Sequence, residues 1–340
     1  MRIAFFSTKP YDKEFFTRVN EEFKNELTFL ESRLNPLSAP LAAGYPCVCT
    51  FVNDELDAQT IEILSRNGTL LLALRCAGYN NVDLEAAEKW GLTVARVPAY
   101  SPESVSEYTI GLLLTLIRHI YRGYYRVRDG NFSLDGLLGF NIHQKNVGVI
   151  GTGKIGKAFV KNLTGFGCNI FAYDIFESDD VKRCGAKYVS LDELFAQSDI
   201  ISLHCPLMPE TAHIINAQSI KKMRPGVVII NTSRGGLINT EDVIDGLKSG
   251  KIGALGLDVY EEEADLFYED LSNKVIQDDV FARLALFPNV IMTGHQAFFT
   301  QQAMDAIARV TLENVRQFEK GEPISGLITP DSGVFPEKQR

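Results

Sequence analysis

Three side chains of this sequence could together protonate a keto oxygen and bind a carboxylate next to it, namely Arg234, Glu263 and His295. Hydride addition to a keto carbon leaves negative charge on its oxygen, so the reaction needs a proton donor and a stabilising cation. Histidine titrates near neutral pH, and a neighbouring carboxylate stabilises its charged form. The planar guanidinium of arginine can hold a carboxylate through two hydrogen bonds. The three residues therefore predict reversible reduction of a 2-keto acid.

The placement of these residues supports the prediction more than their types do. Each of them comes shortly after an apolar, β-rich run of the sequence. A lone histidine is more often a hydrogen-bonded structural residue, and Glu263 could belong to a solvated acidic run at residues 261–263. Joint placement after successive strands, in the same predicted sheet as a glycine-rich turn, favours a shared site.

That glycine-rich turn, Gly-Thr-Gly-Lys-Ile-Gly at residues 151–156, directly follows an apolar run at residues 147–150 and opens a predicted helix. In this context the G-x-G-x-x-G pattern indicates a dinucleotide site. Gly151 permits the tight turn, Gly153 lets the backbone approach a pyrophosphate, and Gly156 lets the helix pack closely on the strand. The N-terminus of the helix attracts the anion.

Asp174 indicates which dinucleotide is bound. It lies 18 residues beyond Gly156, at the end of the next apolar run. A carboxylate there accepts hydrogen bonds from the ribose hydroxyls and repels a 2′-phosphate. Ile175 and Phe176 follow it and offer no cation to neutralise such a phosphate. The expected cofactor is therefore NAD and not NADP.

Short apolar runs alternate with helical stretches in two series, which is typical of an α/β protein. The first series comprises residues 3–6, 47–52, 70–74 and 93–97. The second comprises residues 147–150, 170–173, 200–204, 227–231, 254–259 and 290–293. Nearly continuous apolar character indicates strands covered on both faces. We expect two doubly wound parallel-sheet domains, Rossmann-like or flavodoxin-like, with an active-site cleft between them.

The domain boundaries follow from two helical stretches. Residues 102–128 are expected to form one long connecting helix. The sequence Ser-Pro-Glu at residues 101–103 resembles an N-cap followed by proline at the first helical position. Residues 301–320 are helical in period and could return the chain to the first domain. We therefore expect a substrate domain at residues 1–100, completed by residues 300–340, and an NAD-binding domain at residues 101–299.

Composition and charge exclude several other classes of protein. The net charge of −9 argues against a nucleic-acid or anionic lipid partner. No secretory signal is visible at the start, and the longest apolar span, residues 110–117, is too short to cross a bilayer. Six cysteines show neither C-x-x-C spacing nor a zinc-like cluster with histidine. These features predict a cytoplasmic protein with free thiols and without a metal.

Five segments together resemble the D-isomer-specific 2-hydroxyacid dehydrogenase family, and the resemblance covers almost the whole chain. They are residues 147–156, 202–207, 231–235, 257–261 and 294–298. The resemblance implies that Arg234 binds the substrate carboxylate, Glu263 partners the histidine, and His295 donates the proton. It implies an NAD site formed by Gly151, Gly153, Lys154, Ile155, Gly156, Asp174, Cys205, Pro206, Thr211, Thr232, Ser233, Arg234 and Asp258. The implied substrate contacts are Arg75, Cys76, Ala77, Gly78, Tyr100, Arg234, His295 and Phe298.

Two features refine the resemblance. Residues 265–267 and 275–279 lengthen the stretch between Glu263 and His295 to 32 residues. This is typical of lactate-type members and implies pyruvate and D-lactate as the substrate pair. One position departs from the family, because relatives often carry histidine after Glu107 where this chain has Tyr108.

Several alternatives stay open at this point. The preferred substrate could be hydroxypyruvate, glyoxylate or a branched 2-keto acid, and an NAD-sensing corepressor that binds peptides uses the same fold. The resemblance also implies a homo-oligomer, either a dimer or a tetramer.

Overall fold

The computed structural model describes residues 1–263 and 266–333, which form two compact units. Unit 1 comprises Met1–Ser101 and, from the stretch Thr300–Arg340, the residues up to 333. Unit 2 is Pro102–Phe299. Asp265, which belongs to the segment that suggested a lactate-type relative, lies outside the described residues.

Unit 1 is built on a six-stranded sheet in the order β13-β5-β4-β3-β1-β2. Its strands are β1 (Arg2–Phe5), β2 (Glu26–Phe29), β3 (Cys47–Thr50), β4 (Leu71–Leu74), β5 (Thr93–Ala95) and β13 (Leu327–Ile328). All pairings are parallel except that of β13 with β5, which is antiparallel. The strand order reverses between β1 and β3, so the sheet is doubly wound as expected.

The C-terminal helix completes unit 1. The helices of this unit are α1 (Pro10–Phe23), α2 (Ala58–Arg66), α3 (Leu84–Lys89) and α12 (Gln301–Lys320). Helix α12 spans the predicted residues and packs on α1 and β4. The Thr300 side chain caps its first turn by accepting a hydrogen bond from the Ala303 amide, and Gly321, at φ +66°, ends it.

Unit 2 is built on a seven-stranded sheet in the order β12-β11-β10-β9-β6-β7-β8, with parallel pairing throughout. Its strands are β6 (Asn146–Ile150), β7 (Asn169–Tyr173), β8 (Lys187–Tyr188), β9 (Ile200–Leu203), β10 (Val227–Asn231), β11 (Ile252–Leu257) and β12 (Val290–Met292). Strand β10 is buried on both faces, because Val228 and Ile230 join one apolar cluster and Ile229 joins another. The predicted α/β class, with two doubly wound sheets, is confirmed.

The expected connecting helix over residues 102–128 is wrong, because it is two helices. The helices of unit 2 are α4 (Pro102–Ile117), α5 (Ile120–Arg128), α6 (Lys154–Leu163), α7 (Asp179–Arg183), α8 (Leu191–Gln197), α9 (Ala217–Lys222), α10 (Thr240–Lys248) and α11 (Asp279–Ala285). His119, at φ +51°, breaks the chain direction between α4 and α5. Helix α4 buries half of its residues, whereas α5 buries none, so no core contact keeps α5 in line with α4.

The order of the unit 2 sheet reverses between β6 and β9, which is where a doubly wound sheet binds its ligand. The glycine-rich turn follows β6, and Cys205 and Pro206 follow β9. Along the described residues there is no helix whose length and hydropathy would allow it to span a membrane.

Candidate active site

His295 and Glu263 form a hydrogen-bonded pair. The imidazole Nδ1 lies 2.9 Å from Glu263 Oε1, and the Tyr260 amide donates to Glu263 Oε2 at 3.0 Å. Both side chains are largely buried, with 17% of His295 and 24% of Glu263 exposed. Because the carboxylate accepts the Nδ1 proton, Nε2 is the nitrogen that can exchange a proton with a substrate.

The turn that carries His295 is built around Asp258, at the end of β11. The Asp258 carbonyl accepts the His295 amide at 2.7 Å. Its carboxylate accepts the Thr293 hydroxyl at 2.6 Å and the amides of Gln296 and Ala297 at 3.0 and 2.8 Å. Burial raises the pKa of the Asp258 carboxyl, and these hydrogen bonds oppose that shift. The predicted cofactor contact Asp258 therefore holds the histidine turn, in which His295 adopts φ +51°.

Arg234 lies on the turn after β10, which Asn231 organises from the end of that strand. Asn231 Oδ1 accepts the Ser233 amide at 3.0 Å, and its Nδ2 donates to the Arg234 carbonyl at 2.8 Å. The next residue, Gly235, touches the turn after β11, since a Cβ at Gly235 would lie 2.0 Å from the Tyr260 carbonyl oxygen. Only glycine allows this approach. The turns after β10, β11 and β12, which are neighbours in the sheet, thus carry Arg234, Glu263 and His295.

The three glycines of residues 151–156 have different surroundings. A Cβ on Gly151, at φ +93°, would lie 2.4 Å from the Cys205 amide nitrogen, and one on Gly156 would lie 2.0 Å from the Gly151 carbonyl oxygen. By contrast, a Cβ on Gly153 would meet nothing within 4 Å. Gly153 precedes helix α6 and provides no side-chain cap. The open space at Gly153 lies in front of the N-terminal amides of α6, which no side chain caps. Such a space is suited to a pyrophosphate.

Asp174 lies directly after β7 and contacts the glycine turn. Its Oδ2 accepts the Thr152 amide at 2.5 Å, and its Oδ1 accepts the Phe176 amide at 3.1 Å. Lys154 is exposed and Ile155 is half-buried on the first turn of α6. The carboxylate therefore lies at the edge of the turn where an adenosine ribose is expected.

A hydrogen bond from Ser233 joins the turn after β10 to the turn after β9, and a second bond lies within the connection after β9. Ser233 Oγ donates to the Cys205 carbonyl at 2.7 Å, and Thr211 Oγ1 donates to the Pro206 carbonyl at 2.7 Å. Burial raises the pKa of the Cys205 thiol to about 12. Cys205 is therefore a neutral thiol at physiological pH and not a nucleophile.

Helix α4 contacts the turn after β10 and the turn after β12. The sequence alone did not predict these contacts. Gln296 Nε2 donates to the Tyr108 hydroxyl at 2.8 Å, and the hydroxyls of Thr109 and Thr232 lie 2.8 Å apart. Tyr108 thus makes a polar contact with the turn that carries His295. In the sequence, Tyr108 only marked a departure from the family pattern. Nothing there indicated a hydrogen bond with Gln296.

Two aromatic rings flank His295. Phe298 lies edge to face with it, with ring centroids 6.5 Å apart, and Tyr268 lies at 5.8 Å. Tyr268 adopts φ +67°, and its hydroxyl lies 3.4 Å from the His295 carbonyl oxygen. Phe298 was predicted from the sequence and Tyr268 was not. The extra length between Glu263 and His295 was the signal that could have found it.

In unit 1, the predicted substrate residue Arg75 faces the interior. Its Nε donates to Asp12 at 3.3 Å, its Nη2 donates to the Ser7 carbonyl at 2.9 Å, and the guanidinium lies over the Phe51 ring. Only 2% of Arg75 is exposed. Its guanidinium therefore pairs with a buried carboxylate through Nε, and the substrate contact expected of Arg75 stays a prediction.

The carbonyl groups of the residues after Arg75 accept hydrogen bonds from side chains. Cys76 is buried and its thiol donates to the Gly78 carbonyl at 3.2 Å. Arg96 donates to the Ala77 carbonyl at 2.7 Å. Ala77, Gly78 and Tyr100 are partly exposed. The described part of the chain contains no group of three histidine, cysteine, aspartate or glutamate side chains that could hold a metal.

The sequence and the fold are similar to those of known proteins. A model of the D-isomer specific 2-hydroxyacid dehydrogenase NAD-binding domain matches residues 110–297. D-lactate dehydrogenase of Escherichia coli is 52% identical over 322 residues, which cover 95% of this chain and 98% of that protein.

Two solved structures are also similar to this chain. The structure reported for the pyruvate reductase of Chlamydomonas reinhardtii has a TM-score of 0.91 at 45% identity, over 96% of this chain and 98% of that one. D-lactate dehydrogenase of Aquifex aeolicus, complexed with NAD and lactic acid, has a TM-score of 0.84 at 33% identity, over 94% of this chain and 96% of that one.

Proposed function

This chain belongs to the D-isomer specific 2-hydroxyacid dehydrogenase family, and from that premise we propose that it is a D-lactate dehydrogenase that reversibly reduces pyruvate with NADH. The observation that carries the proposal is the His295–Glu263 pair on turns next to the one that bears Arg234. The D-lactate dehydrogenases among its relatives support the choice of substrate.

In the proposed mechanism, Arg234 binds the carboxylate of the keto acid and His295 Nε2 donates a proton to the keto oxygen. Glu263 stabilises the protonated imidazole through Nδ1 and fixes the orientation of the ring. When bound, NADH supplies the hydride for C2. In the reverse direction His295 accepts the hydroxyl proton. Both steps use residues that the turns around Asp258 and Asn231 hold in place.

The residues around Gly153 fit a dinucleotide, because this glycine borders open space and uncapped amides of α6. We assign cofactor contacts to Gly151, Gly153, Lys154, Ile155, Gly156, Asp174, Cys205, Pro206, Thr211, Thr232, Ser233, Arg234 and Asp258. For the substrate, we assign the backbone of residues 76–78, together with Tyr100 and Phe298, as additional contacts. Arg75 belongs to the same assignment, and its Nε also pairs with Asp12.

The substrate preference is tested by initial rates with NADH on pyruvate, hydroxypyruvate, glyoxylate and 2-ketoisocaproate. We expect the highest kcat/KM with pyruvate, and D-lactate as the product on chiral chromatography. If another keto acid gave a higher kcat/KM, that acid and not pyruvate would be the preferred substrate. NADH binding without turnover of any of the four would favour an NAD-sensing binding protein.

We expect Asp174→Ala to weaken NADH binding and to narrow the preference for NADH over NADPH. The substitution removes both a ribose acceptor and a charge that repels the 2′-phosphate. The measurement is kcat/KM for both cofactors, with Asp179→Ala as a control, because Asp179 is also acidic and lies on α7. Comparable use of NADPH and NADH by the unmodified protein would contradict the role of Asp174.

We also propose that the protein is a homo-oligomer assembled through a surface formed by α5 and residues 131–140. The exposed apolar side chains of this surface are Ile120, Tyr124, Tyr125, Val127, Phe132, Leu134, Leu138 and Phe140. A monomer rarely exposes so many apolar side chains in one stretch of chain. The occupant we propose is the same surface of a second copy, which a two-fold axis would bring into contact.

Leu138→Asp is expected to shift the protein toward the monomer, because it would bury an unpaired carboxylate in the interface. The mass in solution, from light scattering on a sizing column, measures this shift. Leu37→Asp is the matched control, since Leu37 is equally exposed, at 92%, but lies in unit 1. An unchanged mass in the Leu138 variant would exclude this surface as the interface.

We place the protein in the cytoplasm. All six cysteines, each within the described residues, are free thiols, and four of them are buried. Free thiols are typical of proteins in a reducing compartment.

A further inference from the structure

A second histidine–glutamate pair lies next to the site, and neither of its members has a role in the proposed mechanism. Glu261 Oε1 lies 2.5 Å from His213 Nε2. Its Oε2 accepts the Thr240 hydroxyl at 2.9 Å and the Thr240 amide at 3.3 Å. Each oxygen of the Glu261 carboxylate thus contacts a different part of the chain.

The three residues of this cluster lie on three different connections that leave the carboxyl ends of the unit 2 strands. His213 follows β9, on the connection that carries Thr211. Thr240 begins α10, on the connection after β10 that carries Arg234. Glu261 follows β11 and is two residues from Glu263. A single carboxylate therefore links the connections on which the proposed carboxylate binder and the proposed histidine partner lie.

The backbone around this cluster leaves little freedom for the connections to move separately. His213 adopts φ +51°, and its amide donates to the Gly236 carbonyl at 2.9 Å. Gly235 approaches Tyr260 so closely that any Cβ would overlap its carbonyl group. The Tyr260 amide in turn donates to Glu263. A shift of Glu261 would therefore be transmitted to Arg234 on one side and to Glu263 on the other.

The exposure of the pair indicates what it contributes. The His213 side chain is 43% exposed and that of Glu261 is 26% exposed. Solvated ion pairs add little to the stability of a fold. Catalysis is far more sensitive to geometry, because a displacement of about 1 Å can cost about a hundredfold in rate. The effect of losing Glu261 should therefore appear in turnover before it appears in folding.

We propose that Glu261, held by His213 and Thr240, is a positioning residue that keeps Arg234 and Glu263 in register for the reaction. The proposal rests on the proposed function, since its readout is keto-acid reduction. It assigns no substrate or cofactor contact to Glu261. It predicts that the glycine turn and Asp174, which follow β6 and β7, are unaffected by the loss of Glu261.

The test compares Glu261→Ala with Glu262→Ala in the full-length protein. Glu262 is the adjacent glutamate and is exposed, so it is a control for charge and for local chain composition. We expect Glu261→Ala to lower kcat/KM for pyruvate by about tenfold or more, with a higher KM and a lower kcat. The affinity for NADH, from fluorescence titration, and the Tm should stay close to those of the Glu262 variant.

Two further variants separate positioning from general damage. Glu261→Gln keeps an acceptor for Thr240 and should recover part of the lost kcat/KM. His213→Ala should also lower kcat/KM, and the double variant with Glu261→Ala should lose less than the product of the two single effects, because the residues act as one unit. If Glu261→Ala fails to fold, the His213→Ala result decides the question.

The outcomes also separate this proposal from the proposed function. An unmodified protein that reduces none of the four keto acids would overturn the proposed function, and the positioning role with it. An active protein in which Glu261→Ala matches Glu262→Ala, or in which His213→Ala is fully active, would overturn the positioning role alone.

Discussion

Replacement of His295 by alanine is expected to lower kcat for pyruvate by about 10²- to 10⁴-fold, the usual contribution of a positioned proton donor. The substitution removes the imidazole whose Nδ1 lies 2.9 Å from Glu263 and leaves that carboxylate without its partner. The turn itself should remain, because it is held by the backbone of residue 295 and by Asp258. NADH binding is therefore expected to survive.

The measurements are single-turnover rates with pyruvate and fluorescence titration with NADH in the same preparation. His143→Ala is a suitable control, since His143 is an exposed histidine in unit 2 whose Nδ1 lies 3.2 Å from the Phe166 carbonyl oxygen. Near-normal turnover in His295→Ala would remove this histidine from the mechanism. A loss of NADH affinity as large as the loss of rate would point to collapse of the turn instead.

Arg234→Lys is expected to lower kcat/KM for pyruvate by at least about tenfold and to leave NADH affinity nearly unchanged. Lysine keeps the positive charge but lacks the planar pair of donors that grips a carboxylate at two points. A charged hydrogen bond is worth about 1.5–3 kcal/mol, and each 1.36 kcal/mol corresponds to about a factor of ten. The Asn231 contacts to the turn use backbone atoms of residues 233 and 234, so the substitution should spare the local fold.

Arg224→Lys is the matched control, because Arg224 precedes β10 and is an exposed surface partner of Asp199. Its replacement should leave kinetics unchanged. If Arg234→Lys lost folding and NADH binding while turnover per bound cofactor stayed normal, Arg234 would be a structural residue. The proposed carboxylate site would then have to move to Arg75, whose Nη1 has no hydrogen-bond partner among the described residues.

The fold could be predicted where burial left a strong pattern. Each of the ten predicted apolar runs overlaps a strand, because central parallel strands are covered on both faces and read as continuous apolar sequence. Strand β2 (Glu26–Phe29) was missed, since it lies at the edge of its sheet and none of its residues is fully buried. The break at His119 was missed because a left-handed residue leaves no periodic signal in a helical stretch.

The candidate site could be predicted only in part, for a related reason. Glycine spacing and the position of polar residues after strands are local features, so the turns that bear Gly153, Arg234 and His295 could be identified. Contacts between residues distant in sequence leave no such pattern. His213 and Glu261 are 48 residues apart, and Tyr108 and Gln296 are 188 apart. The burial of Arg75 likewise depends on Asp12, which is 63 residues away.

The discontinuous composition of unit 1 has a consequence for synthesis of the chain on the ribosome. Unit 2 is one continuous stretch, whereas unit 1 needs α12 and β13, which are translated after all of unit 2. At about 5–20 residues per second, translation of the intervening stretch takes about 10–40 seconds. During that interval β5 lacks its neighbour β13, and α1 lacks its neighbour α12. Unpaired strand edges and uncovered apolar faces are the surfaces that chaperones bind, so we expect the nascent first hundred residues to need such protection while unit 2 already folds.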